Sequence, residues 1–407
     1  MLEQRRSGIG DLSPGLGAPF CFWGIVMTLK LGFLALLDAA PLLVAKERGF
    51  FAEQGLDVEL HRQSSWATLR DKLVVGALDG AQMLAPMVLA STLGLGGLKE
   101  PLVAALALNL GGNSITLSGA LARRMQETGS LAAAILGQGS KPTFGIVHPF
   151  SSHNYEMRLW LAAAGIEAER DVTLTVVPPA QMLSNLSAGL IDGYCVGEPW
   201  GHLAARSGLG RVAITSREIW AGRFEKVYAV RQDWADRHPD THRAILRSLL
   251  LAARWCDLPE NRAELAELLS RPSHVNAPLP LLRVLLESED RPIFHQHAAN
   301  FPWRSQGLWY LAQMRRWGQL DAPVDGFRLV DQVFRADLAR LAFLDLGLPV
   351  PLVDSKIEGA HDAPWILDAA SAPIAMRADR FFDRTIFDPA VPSAGASLTH
   401  SQTGAPA

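Results

Sequence analysis

The 407-residue sequence predicts an α/β protein of two lobes with a hinged ligand cleft between them. Three observations lead there. Short apolar or alternating runs recur between amphipathic helical stretches, which is the rhythm of parallel β-α-β units. The rhythm occurs twice, once before Gly111-Gly112 and once after it. With a mass of 44.2 kDa and 49% apolar against 19% charged residues, the chain can bury two cores and offset the entropy of ordering them.

Thr28 to Leu34 reads as a short buried strand. A helix is expected over Ala40 to Gln54, with Leu42, Leu43, Phe50 and Phe51 on its apolar side, and Gly55 stops it. Leu56 to Leu60 alternates apolar and polar as a half-buried strand does. Ser65 caps a helix from Trp66 to about Ala77, in which Leu69 and Leu73 share a face. Asp79 to Leu84 and Pro101 to Leu108 complete the first series of strands.

In the second series, Thr143 to Val147, Val172 to Val177 and Asp192 to Val196 read as strands. Between them lie helices at His153 to Ala164 and around Met182 to Leu190. Val227 to Val230 is the strand that returns to the first lobe, and Asp240 to Leu269 is amphipathic helix, with helices continuing to about Leu344. The expected division is residues 28–112 and 228–350 for lobe one and 113–227 for lobe two. A C-terminal extension follows at 351–407, mobile after about 390 where Ala, Ser, Pro and Gly dominate. Two crossovers between lobes make a hinge, and in such folds a ligand sits at the carboxyl ends of the strands.

Composition excludes several classes. A net charge of −3 and pI near 6.4 give no support for direct nucleic-acid binding. Cys21, Cys195 and Cys256 show neither zinc spacing nor a disulfide framework. No apolar run reaches the roughly 18 residues that a membrane helix needs. Residues 1–27 read as a disordered extension or a mis-assigned start, with Met27 as the alternative first residue. Arg5-Arg6 and the patch Ala18 to Val26 resemble an export signal poorly, because Pro14 and Pro19 interrupt them and no cleavage site follows. The expectation is a cytoplasmic protein, with the periplasm as the alternative.

Several chemically capable residues stand just after predicted strands. These are Trp66 at a helix start, Asn113 after two glycines, His153 at another helix start, Pro179, Val196 and Lys226. On one crevice they would offer helix N-termini, an indole wall, an imidazole, an amide and an ammonium, a set suited to a small anion. Each also has a plainer role: core aromatic, helix cap, turn amide, stiff loop, buried strand residue, surface lysine. Enzymatic signals are weaker. Neither GxSxG nor HExxH occurs, nothing pairs Glu156 or Glu198, and a His153–Cys195 nucleophile pair is less expected than a buried strand cysteine. No enzyme is predicted.

The chain resembles the nitrate- and bicarbonate-binding proteins of ABC transporters, in the wider group of nitrate, sulfonate and taurine receptors. The segments that carry the resemblance include Asp38-Ala-Ala-Pro-Leu42, Lys46-Glu-Arg-Gly-Phe-Phe51 and Ser65-Trp66 with Arg70-Asp-Lys-Leu73. They continue through Ser152-His153-Asn154-Tyr155, Pro178-Pro179-Ala-Gln-Met182, Gly197-Glu-Pro-Trp200 and Asn300-Phe-Pro-Trp-Arg-Ser305. The resemblance implies a type II periplasmic-binding-protein fold that closes on its ligand. It implies oxyanion contacts from Trp66, His153, Pro179, Val196 and Lys226, with Asn113 where the nitrate receptors carry a glutamine. Bicarbonate relatives use acidic residues and a metal at the place of Lys226, so a lysine there implies nitrate or nitrite, with no metal and no cofactor. Since no export signal is read, the resemblance further implies a cytoplasmic nitrate/nitrite sensor that holds an ANTAR-domain RNA-binding regulator. The alternative is a periplasmic receptor whose partner is an ABC permease.

Overall fold

The computed structural model describes residues 28–137 and 139–391. The expectations for residues 1–27 and for the tail from 392 onward lie outside the described residues.

Two five-stranded sheets are formed, in chain order, by β1 (Leu29–Leu34), β2 (Val58–Gln63), β3 (Gly80–Leu84), β4 (Leu102–Ala107), β5 (Asn113–Ser118), β6 (Thr143–Ile146), β7 (Thr173–Val176), β8 (Gly193–Gly197), β9 (Gly210–Thr215) and β10 (Lys226–Arg231). The lobe-one sheet has the order β2-β1-β3-β10-β4, and the lobe-two sheet the order β7-β6-β8-β5-β9. β1, β2 and β3 are parallel, while β10 inserts antiparallel between β3 and β4. Lobe two repeats the scheme: β6, β7 and β8 are parallel, and β5 runs antiparallel to β8 and β9. The central strand β3 and the edge strand β4 are both buried along their whole length, as sheets covered on both faces require.

The chain leaves lobe one after β4 and returns at β10, and the two crossing segments hold each other. Leu108 N donates to Lys226 O at 2.7 Å, Glu225 N to Asn109 O at 2.9 Å and Gly111 N to Arg223 O at 3.2 Å. Gly112 turns the chain into lobe two at φ +92°, where a Cβ would lie 2.8 Å from Pro292 Cγ. Gly112→Ala is therefore expected to destabilise the protein by about 1–3 kcal/mol through backbone strain and overpacking, read as a lowered midpoint in urea.

The structure differs from the sequence-based expectation at several points. The helix expected over Ala40 to Gln54 breaks at Gly49 (φ +80°) into Ala40–Glu47 and Phe50–Glu53. The helix expected over Asp240 to Leu269 divides at Pro259, which cannot donate a backbone hydrogen bond, into Pro239–Asp257 and Arg262–Ser270. Asn113 does not sit in a turn but opens β5, paired with Gly197 of β8. β5 escaped sequence reading because Asn113, Ser114 and Thr116 are polar yet buried, so neither alternation nor an apolar run marks it. The expected boundary of lobe two at residue 227 also shifts: Lys226 and Val227 already pair with Leu84 and Met83 in the lobe-one sheet.

Residues 351–391 pack onto both lobes. Phe381 stacks on Trp220 with ring centroids 4.2 Å apart, and Phe382 N donates to Ile219 O at 3.0 Å. The Lys356 side chain, 6% exposed, lies between Glu358 and Asp379. A short pair of antiparallel strands, Trp365–Leu367 and Ile374–Met376, completes this segment.

Candidate functional site

Where the returning crossover enters β10, five ionisable side chains from both lobes meet out of contact with solvent. Lys226 Nζ lies 2.9 Å from Asp38 Oδ2 and 2.9 Å from Glu225 Oε1. Arg223 pairs with Glu156 and, at 2.8 Å, with Glu225 Oε2. Local structure sets each position. Asp38 lies in the 3-10 turn Leu37–Ala39 that follows β1, where Gln82 of β3 donates to its other oxygen. Gln82 is itself fixed by accepting from Leu34 N at 2.8 Å. Glu156 projects from the second turn of helix Ser152–Ala163, capped by Ser151 Oγ, which accepts from Asn154 N. The lobes also touch through the backbone, with Leu37 N donating to Glu198 O at 2.9 Å.

Burial and pairing compete at every one of these groups. Burial alone would lower the Lys226 ammonium pKa, but Asp38 and Glu225 outweigh it and raise it above the ordinary lysine value. Burial would raise Glu225, but Lys226 and Arg223 hold it well below the usual carboxylate range. At Asp38 and Glu156 burial prevails over Lys226 and Arg223 respectively, so both carboxyls are raised. Burial, followed by Lys226, pushes His153 well below its ordinary value, which disfavours the imidazolium form.

The residues singled out from sequence are distributed around this cluster. Trp66 begins helix Trp66–Val74, and its ring centroid is 5.5 Å from Lys226 Nζ, within cation–π range. His153 Nδ1 is 3.8 Å from Glu225 Oε1, and neither ring nitrogen has a hydrogen-bond partner among the described residues. Trp66, His153 and Lys226 are all 0% exposed. Trp66 Nε1 is also without a partner among the described residues. Pro179 lies instead at the mouth of the cleft, in a groove of about 450 Å³ lined by Arg62 and Ser64 from lobe one and by Pro179, Gln181 and Trp200 from lobe two. Val196 is buried in β8, paired with Ser114, one residue before Gly197. Gly197 has the cluster at its surface: a Cβ there would be 3.3 Å from Asp38 Oδ2 and 3.5 Å from Asn113 Oδ1.

Three sequence expectations are corrected. Lys226 is not a lone ammonium, because Asp38 and Glu225 already neutralise it. Asn113 does not offer its amide donor freely, since Nδ2 donates to Glu156 Oε2 at 3.0 Å and the unpartnered atom is the acceptor Oδ1. Glu156 and Glu198 are both paired, Glu156 with Arg223 and Glu198 with Ser114 Oγ at 2.7 Å and His202 Nδ1 at 3.0 Å. Sequence reading missed Asp38, Arg223 and Glu225 as members of the site, although Glu225 adjoins Lys226 and Asp38 lies in a family-like segment. Cys195 donates to Glu156 Oε2 at 3.4 Å, and burial lifts its thiol well above the ordinary value, so no thiolate is prepared there.

Comparison with known proteins places this geometry in a family. The NMT1-like family matches residues 26–270. The nitrate/nitrite binding protein NrtA of Synechocystis sp. is 34% identical over 414 residues, which cover 96% of this chain and 88% of that protein. The chain belongs to the NMT1-like family. The crystal structure of periplasmic nitrate-binding NrtA from Synechocystis superimposes with a TM-score of 0.80 at 32% identity, covering 92% of this chain and 99% of that one. This NMT1-like protein has the type II periplasmic-binding-protein fold that its two sheets and double crossover describe. Identity is also high to longer proteins of Synechocystis sp.: 39% to the nitrate import ATP-binding protein NrtC and 38% to the bicarbonate transport ATP-binding protein CmpC, each over 362 residues. Of these two, the chain spans about half the length (53% and 54%), and 84% and 83% of this chain is covered.

Proposed function

We propose that this NMT1-like protein captures a small planar oxyanion, nitrate or nitrite, between its lobes and serves as the binding component of an ABC import system. One observation carries the reading. The indole N–H of Trp66 and both ring nitrogens of His153 are buried without partners among the described residues, beside an ammonium that stacks over the Trp66 ring. Buried polar groups are almost always satisfied, and a flat oxyanion seated there accepts from several weak donors at once. The NrtA relatives, named for nitrate and nitrite, support the choice of anion, and CmpC, named for bicarbonate transport, supplies the competitor to test against it.

Trp66→Ala removes the wall and one donor. Calorimetric titration is expected to show nitrate binding in the natural protein and at least about tenfold weaker binding in this variant, from the loss of one hydrogen bond to a charged ligand plus its stacking surface. Equal affinity in the two proteins would place the anion elsewhere. Bicarbonate binding in preference to nitrate would assign the site to the other anion.

A transport role calls for a permease partner and a periplasmic location, as in the NrtA whose crystal structure is described as periplasmic. The expected cytoplasmic sensor with an ANTAR-domain regulator finds no support in the relatives, which are named as binding and transport components. Cell fractionation separates the readings: recovery in the periplasm with permease subunits supports transport, and recovery in the cytoplasm bound to an RNA-binding regulator overturns it. Binding rather than catalysis is proposed because Cys195 and His153 form no nucleophile–base pair.

A further inference from the structure

We infer that this site takes up its anion together with one proton, and that the proton settles on His153. The inference rests on the anion-binding reading above and extends it from which ligand is held to what must accompany it.

The reason is charge. Lys226 and Arg223 bring two positive charges, whereas Asp38, Glu156 and Glu225 in their ionised forms bring three negative ones, and all five side chains are buried. The site thus leans negative before any ligand arrives. A nitrate adds a further negative charge where no solvent reaches, and a buried charge without compensation is strongly unfavourable. A proton taken up with the anion removes the imbalance.

His153 is the group placed to receive it. It opens helix Ser152–Ala163 on the lobe-two side of the site, and its Nδ1 is 3.8 Å from Glu225 Oε1. Neither ring nitrogen is hydrogen-bonded to another group among the described residues. As an imidazolium it would have two N–H donors, one for Glu225 and one for the anion, and the ion pair with Glu225 would be complete. The charged neighbours bear on it from each side. Lys226, Glu225 and Arg223 act from the crossover. Glu156 on its own helix and Asp38 on the turn after β1 bear on it through Arg223 and Lys226. The Cys195 thiol of β8 donates to Glu156, and the Tyr310 hydroxyl meets Arg223 at 3.2 Å.

The sign follows directly. The empty site disfavours imidazolium because of burial and Lys226. A bound anion favours it, so the ring's proton affinity rises on binding. Between the two values binding takes up a proton and affinity declines as pH rises, levelling off above the upper one.

The experiment is calorimetric titration of nitrate into the natural protein in cacodylate and in Tris, near neutral pH and one unit above. The two buffers differ in ionisation enthalpy, so the difference in observed heat counts protons. About one proton per nitrate is expected, with affinity falling about tenfold per pH unit. In His153→Gln, which keeps an amide donor and cannot titrate, proton uptake should fall to near zero and the pH slope should flatten. Nitrogen-15 NMR of the natural protein gives an answer that needs no variant: the His153 ring should read as imidazolium in the nitrate complex. Nitrate binding without proton exchange, or a neutral His153 in the complex, overturns this proposal and leaves anion binding standing. Unchanged uptake in His153→Gln overturns the assignment to that residue. No nitrate binding at any pH overturns both readings.

Discussion

Lys226→Met is expected to lower stability by about 3–5 kcal/mol at neutral pH and nitrate affinity by at least about tenfold. The stability loss comes from what remains. Glu225 keeps Arg223 as an ion-pair partner, but Asp38 keeps only the Gln82 amide among its described partners. Both carboxylates have almost no contact with water (Asp38 is 2% exposed), so an unpaired charge cannot be hydrated without local opening.

The pH dependence has a definite sign. In the natural protein Glu225 is held below its unfolded value, so its contribution is complete above that value and is lost as pH falls through the folded one. In the variant the Asp38 carboxyl, already raised by burial, loses the lysine that opposes the rise. Its penalty is complete above the raised value and fades as pH falls toward the unfolded one. The stability gap between the two proteins should therefore narrow on acidification. Urea unfolding at neutral and mildly acidic pH measures it, and a gap that stays constant, or is smaller than about 1 kcal/mol, would mean that Lys226 does not compensate buried carboxylates. Adding Asp38→Asn to the variant should restore part of the loss.

Lys356→Met should produce a comparable loss, about 3–5 kcal/mol, at a place remote in function from the anion cluster. The Lys356 side chain lies between Glu358 and Asp379, with Asp379 Oδ2 at 2.8 Å. Glu358 in turn accepts from Ser305 Oγ at 2.6 Å and from Gln306 Nε2 at 3.3 Å. Ser305 and Gln306 belong to the Asn300-Phe-Pro-Trp-Arg-Ser305 segment and the helix it opens, Arg304–Arg316. Gln306 also accepts from Phe224 N at 2.8 Å, beside Arg223. Removing the ammonium should loosen residues 351–391 from both lobes, seen as early proteolytic cleavage within that segment and a lower unfolding midpoint. A variant as resistant as the natural protein would show that the C-terminal segment is held by its aromatic contacts, such as Phe381 on Trp220, without the ion cluster.

Much of the fold was legible because local chemistry dictated it. Ser65 before Trp66 is a helix cap in sequence and in structure, and the structure adds Ser151 before Ser152, each hydroxyl accepting from the backbone three residues on. The apolar runs of β1, β3 and β4 announce strands covered on both faces. β5 and β9 were not legible. β5 buries Asn113 and Ser114, whose side chains meet groups distant in sequence, Asn113 Nδ2 on Glu156 Oε2 at 3.0 Å and Ser114 Oγ on Glu198 Oε1 at 2.7 Å, and β9 is only half-buried along most of its length.

The site divides along the same line. Trp66, His153 and Lys226 could be picked out because a βα alternation delivers residues after strands to one crevice, and all three do gather at the buried cluster. Their ionic pairing could not, since Asp38 reaches Lys226, and Glu156 reaches Arg223, only once two lobes and a crossover are assembled.

The amino-acid sequence alone determined the two-lobed architecture, the caps and turns, and the kinds of side chain at the strand ends, because these follow from periodicity and from interactions a few residues long. Tertiary structure alone decided the electrostatic state of the site. Whether an ammonium is free or neutralised, and whether an imidazole is charged, depends on distances between groups far apart in the chain and on how completely water is excluded from them.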